Sequence, residues 1–185
     1  MSIFFTSDTH FFHQNILKYC PSTRKYANVQ EMNEAIVADW NSKVASGDTV
    51  FHLGDMSFGR PAETEEILNR LNGRIVLIRG NHDPKNGKVF DILDSRCEEI
   101  HEYFELKIQG FQLNMFHYPI RAWNKYHHGA FHLHGHSHGS CKPVGRMLDV
   151  GWDNVGRVIS LNEVINTLKN VPIDNVDHHD GENPR

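Results

Sequence analysis

Short apolar runs alternate along this chain with stretches whose apolar residues recur at helical spacing. Ile3-Phe4-Phe5-Thr6, Thr49-Val50-Phe51-His52-Leu53 and Arg74 to Arg79 (RIVLIR) read as strands, the last rich in β-branched residues. Between the first two, Asn28 with Glu31 three residues on has the form of a capping box. Val29, Met32, Ile36 and Trp40 then follow on one helical face. Pro61 opens a second helix and Gly73 lies just past its end, with Ile67, Leu68 and Leu71 as its buried face.

The second half has a different texture. Glu98 to Ile108 and Phe111 to Phe116 predict a hairpin around Gln109-Gly110. Ala130 to His134 and Arg146 to Val150 predict two more strands, and Ser160 with Glu163 caps a last helix carrying Val164, Ile165 and Leu168. Alternating β and α elements followed by β-rich sequence predict one α/β domain of layered sheets, residues 1–173. The acidic stretch 174–185, with His178 and His179, is expected to be a flexible tail.

A length of 185 residues suits one such domain, and 39% hydrophobic residues supply its core. The net charge of −4, without a basic stripe, argues against a long nucleic acid as partner and leaves a small nucleotide open. No apolar run reaches membrane-spanning length, and Met1 to Phe5 lacks the features of a signal peptide, so no membrane partner is expected. Cys20, Cys97 and Cys141 are odd in number and scattered, which argues for a reducing, cytoplasmic setting. The 14 histidines change the picture most, because neutral imidazole is the commonest metal ligand.

Five motifs fall just after predicted strands, where open α/β sheets place their ligands. Asp8-Thr9-His10 sets a carboxylate and an imidazole two residues apart, on one side of an extended chain. Gly54-Asp55 offers a carboxylate able to bridge two cations. Gly80-Asn81-His82-Asp83 combines an amide oxygen for a hard cation with a histidine able to donate a proton. His117 stands alone at a strand end. Gly135-His136-Ser137-His138 presents two imidazoles spaced by one residue. A turn Asp with a surface His, an ordinary Gly-Asp turn or an exposed loop would account for several of these singly. The set in order is the stronger signal.

This order, D-x-H, G-D, G-N-H-D, H and G-H-x-H from Asp8 to His138, resembles the calcineurin-like metallophosphoesterase superfamily. The wording SDTHFFHQNI, NMFHYP and HLHGHSHG is similar to a small bacterial or phage-type branch without a cap domain. The resemblance implies a layered α/β sandwich of two mixed β-sheets flanked by helices. It implies a first metal on Asp8, His10, Asp55 and His138, and a second on Asp55, Asn81, His117 and His136, with Asp55 as the bridge. His82 would face the phosphate and leaving group as acid or phosphate stabiliser, and a metal-bridging hydroxide would be the nucleophile. Asp83 either orients His82 or caps the next turn. Two divalent ions are expected: manganese first, with iron, zinc, nickel and magnesium as alternatives.

The expected activity is phosphodiester hydrolysis on a nucleotide-like or cyclic nucleotide substrate. The alternatives are a phosphomonoesterase, a nuclease and a catalytically inert metal-stabilised binding module. Asn81, His13, Asn15 and Arg121 are candidate substrate contacts, although His13 and Asn15 could equally start a helix running to Tyr19. His52 and His134 sit within strands, where packing or support of a ligand outweighs ligation. His127 and His128 fall in a polar loop. Phe11 to Asn28, Met56 to Arg60 and Ile120 to Gly129 are the loops expected to set specificity, and Asp149 to Asp153 (DVGWD) has no expected role beyond packing.

Overall fold

The computed structural model describes residues 1–173, so the expectation for the tail lies outside the described residues. The first sheet contains β1 (Ile3–Thr6), β2 (Thr49–His52), β3 (Arg74–Ile78) and β4 (Glu99–His101), all parallel in the order β4-β3-β2-β1. A short antiparallel edge strand, written β9 (Ile159–Ser160), closes it beside β1. The second sheet has the order β5 (Tyr103–Ile108), β6 (Phe111–Phe116), β7 (Phe131–His134) and β8 (Met147–Asp149). There β5 and β6 form an antiparallel hairpin, while β6, β7 and β8 run parallel.

The continuous apolar runs of the first sheet follow from burial on both faces. Phe4, Val50, Ile75 and Leu77 face outward onto the helices α2 (Val29–Lys43), α3 (Pro61–Arg70) and α4 (Gly87–Arg96). Their neighbours Phe5, Phe51, Val76 and Ile78 face the other way, onto Leu113, Met115, Phe131 and Leu133 of the second sheet. The period of two along each strand thus builds two cores, one on each side of the sheet. The remaining helices are the single turns α1 (Ile16–Tyr19) and α5 (Trp152–Val155), and α6 (Leu161–Leu168), which touches both β1 and β8. Two mixed sheets flanked by helices are the architecture expected above.

The structure departs from the sequence reading in several places. The run Glu98 to Ile108 is not one strand: it breaks at Glu102, so β4 joins the first sheet and β5 opens the second. The helix α4 has no counterpart in the sequence reading, because only Leu93 of its residues is buried and its apolar stripe is thin. At α2 the box is displaced by one residue: Asn28 accepts from the Glu31 amide at 2.9 Å, but Glu31 reaches back to the Ala27 amide at 3.1 Å. The caps of α6 by Ser160 and Glu163 are reciprocal as expected. Cys20, Cys97 and Cys141 are free thiols. No helix among the described residues is long and apolar enough to cross a membrane.

Candidate metal centre

The loops after β1 and β2 continue to pair beyond the strands. The amides of Asp8, His10 and Phe11 donate to the carbonyls of Gly54, Asp55 and Met56 at 2.9, 3.1 and 3.0 Å. This laces the D-x-H and G-D motifs into one platform. Asp8, His10, Asp55, His136 and His138 all have positive φ, between 46° and 64°. Left-handed backbone is costly for residues with a Cβ and persists where the surroundings enforce it, commonly at functional sites.

The donor atoms gather where few hydrogens can satisfy them. Asp8 Oδ2 accepts from the His136 amide at 2.9 Å, while Asp8 Oδ1 and His10 Nε2 are buried without a hydrogen-bond partner. They lie 3.7 Å apart, and His138 Nε2 is 3.9 Å from the same Asp8 oxygen. On the other side, His117 Nδ1 donates to the Leu53 carbonyl at 2.7 Å, which leaves Nε2 as a lone pair. That lone pair faces Asn81 Oδ1 at 3.0 Å and Asp55 Oδ2 at 3.6 Å. Acceptors turned toward one another inside a protein call for a cation. Asp55 Oδ2 also lies 3.8 Å from His10 Nε2, so one carboxylate oxygen faces both groups of ligands. Carboxylate, imidazole and amide donors of this kind fit divalent transition ions.

Electrostatics favour the same reading. Burial opposes ionisation of Asp8, but the nearby imidazoles of His10, His117 and His138 outweigh it and hold the pKa at about 2. The carboxylate is therefore ready to bind a cation at any ordinary pH. The pKa of His138 is raised, chiefly by its hydrogen bond to Asp153, and that of His136 is lowered, chiefly by burial.

Glycine and buried carboxylates hold the loops this close. A Cβ on Gly80 would collide with Asp55 Oδ1, and one on Gly135 with Asp8 Oδ2. Asp83 is buried and accepts from the amides of Asp55, Gly80 and Met56 at 2.8, 2.8 and 3.0 Å. Asp83, expected either to orient His82 or to cap the next turn, clips the loop after β3 to the loop after β2. Its pKa is raised, burial being the largest cause.

Of the other candidates, His82 is exposed and lines a cleft of 680 Å³ beside His10, His13, Phe58 and His138. Its backbone amide donates to Asp55 Oδ1 at 2.9 Å. His13 joins the same wall, its Nδ1 2.9 Å from that of His10. Asn15 is the exposed residue that opens α1, outside the cleft lining. Arg121 is exposed on a separate groove with Ile120, Cys141 and Lys142, not on the metal cleft. His52 is packed: Nδ1 accepts from the Gly54 amide at 3.2 Å and Nε2 meets Thr9 Oγ1 at 3.0 Å. His134 is buried with Nδ1 2.9 Å from the Gly135 carbonyl. His127 and His128 lie in a single 3₁₀ turn, Tyr126–His128.

Sequence reasoning missed the support of the G-H-S-H loop. Asp149 accepts from Ser137 Oγ at 2.7 Å and the Gly139 amide at 2.9 Å. Asp153 Oδ2 meets His138 Nδ1 at 2.6 Å and is paired with the fully buried Arg24 at 2.8 Å. Arg24 Nη1 also donates to the Thr9 carbonyl at 3.0 Å, and Nη2 to that of Asp8. The aspartates of DVGWD are thus the struts of one half-site. The acids alone could have raised the question, but their partners lie more than 100 residues away for Arg24.

The chain is 38% identical to the uncharacterized protein MJ1445 of Methanocaldococcus jannaschii over 140 residues, 75% of this chain and 70% of that one. It is 26% identical to the gene 66 protein of Mycobacterium phage L5 over 198 residues, 90% and 94% of the two chains. The fold is shared with the protein of unknown function AQ665 from Aquifex aeolicus, at a TM-score of 0.71 and 24% identity over 90% of this chain and 99% of that one. The calcineurin-like phosphoesterase superfamily domain matches residues 1–162. That match spans most of the chain, which therefore belongs to the calcineurin-like phosphoesterase superfamily.

Proposed function

We propose that this protein is a dinuclear metal-dependent phosphoester hydrolase that acts on phosphodiesters of the nucleotide type, with residues 1–173 forming its single domain. The observation that carries the reading is Asp55 Oδ2, set 3.8 Å from His10 Nε2 and 3.6 Å from His117 Nε2. Asp8, His10, Asp55 and His138 would hold one ion, and Asp55, Asn81, His117 and His136 the other. Bound there, divalent ions supply Lewis acidity toward a phosphoryl oxygen and a water of lowered pKa.

The chain's own residues do the rest. Leu53 and Asp153 hold the Nδ1 protons of His117 and His138, so that each presents Nε2 to the centre. His82, at the cleft mouth, gives a proton to the leaving oxygen or offsets charge on the phosphoryl group. Hydrolysis adds water across one P–O bond and releases an alcohol and a phosphate monoester. The open cleft favours a diester over an enclosed monoester. The test is metal-stripped protein reloaded with manganese and assayed on an aryl phosphodiester, the matching monoester and a set of cyclic nucleotides. Faster diester turnover supports the reading; turnover of none of them in any metal contradicts it.

A further inference from the structure

Three of the exposed aromatic side chains stand around this one centre. Tyr19, 70% exposed, and Phe58, 37% exposed, line the cleft with His10, His13 and His82. Tyr118 packs edge-on against His136, ring centroids 4.6 Å apart. The remaining exposed tyrosine among the described residues, Tyr103, is engaged elsewhere, its hydroxyl donating to Asn114 at 2.7 Å. Exposed aromatic surface gathered at a concave site marks a place where a ligand covers it.

Three rings on the His10 side, those of His10, His13 and Phe58, lie near-parallel. Phe58 is stacked on His13 at 4.0 Å and 11°, and on His10 at 5.0 Å and 16°. Tyr19 meets His13 edge-on at 6.1 Å and ends the single turn α1, where packing makes no demand for an aromatic residue. His82 tilts against Phe58 at 5.0 Å, so the wall adjoins the proposed proton donor. A planar substrate group lying along this wall would continue the parallel set while its phosphate reaches the carboxylates and imidazoles.

We propose that Tyr19, Phe58 and His13 form a stacking wall for the planar group of the substrate, a nucleobase, and that this wall makes the site selective for nucleotide esters over alkyl esters. The proposal rests on the phosphoesterase reading above. A π-face is common to every nucleobase, so the wall favours nucleotides as a class without choosing among bases.

The test uses the full chain loaded with manganese. Calorimetry compares adenosine 5′-monophosphate with methyl phosphate in the wild type, Tyr19→Ala and Phe58→Leu, the leucine keeping apolar volume beneath His10. Turnover of bis(p-nitrophenyl) phosphate by the wild type is measured beside it. A wild-type preference for the nucleotide that falls on the order of tenfold in both variants, with methyl phosphate binding held within about twofold, supports the wall. Wild-type turnover with no such preference, or with a preference that both variants keep, overturns the wall and leaves the hydrolase standing. A wild type that turns over no phosphoester removes the underlying reading, and the wall with it.

Discussion

His138 presents Nδ1 to the Asp153 carboxylate at 2.6 Å, and Asp153 is gripped in turn by the buried Arg24. The same guanidinium ties down the Asp8 and Thr9 carbonyls, so one cation braces two ligand loops. Asp153→Asn removes the charge that orients His138 but keeps most of the volume. Affinity for one metal equivalent should fall on the order of 10–100-fold while the other is held. Metal titration by calorimetry checks this; two unchanged binding steps would show that Asp153 is packing alone. Arg24→Ala, which leaves Asp153 buried and unpaired, should cost about 3–5 kcal/mol of stability.

Asp83 and His82 are neighbours with opposite predicted signatures. Asp83→Ala leaves three buried amides without their acceptor, at roughly 1–3 kcal/mol each. A fall in melting temperature on the order of 10 °C follows for a chain of this size. Melting curves of the metal-free protein decide it: a variant that melts with the wild type yet loses activity would return Asp83 to a direct role in the chemistry.

His82→Ala should melt with the wild type and bind both metals, because the side chain is exposed and only its backbone amide serves the site. Its turnover should drop about 10²–10⁴-fold. Metal content measured beside the rate separates the roles, and a normal rate would remove His82 from the proton transfer.

Stability should decline in mild acid because two histidines are buried. Burial, ahead of every other cause, pushes His52 down to about 3 and His132 to about 4, from an ordinary value of 6.5. Above pH 6.5 both folded and unfolded states are neutral at these positions, and the contribution is flat. Between pH 6.5 and about 4 the unfolded chain takes up protons that the folded chain refuses, so stability falls as pH falls. The expected slope is about 1 kcal/mol per histidine per pH unit. Urea midpoints of metal-free protein at pH 7.5, 5.5 and 4.5 test it, and pH-independent midpoints would contradict it.

The sequence made the order of the motifs legible because each follows a run that reads as a strand. Asp8, Asp55 and Asn81 could therefore be placed at one edge of one sheet before any contact was seen. Arg24 and Asp153 were not legible, since Arg24 sits in a loop and Asp153 in the single turn α5, neither long enough to show periodicity, and their pairing is long-range. The break at Glu102 was hidden for a related reason. No Gly, Pro, Asn or Asp interrupts Glu98 to Ile108, and only packing assigns β4 and β5 to different sheets. For Asp83, the clip to three amides depends on two loops meeting, which spacing along one chain cannot show.

Counting bound metal tests the proposed bridging role of Asp55 most directly. Wild-type protein and Asp55→Ala are stripped, equilibrated with manganese and analysed for metal per chain, with circular dichroism to verify the fold. Two equivalents in the wild type and near zero in a folded Asp55→Ala are the predicted result. A folded Asp55→Ala that retains two would contradict it.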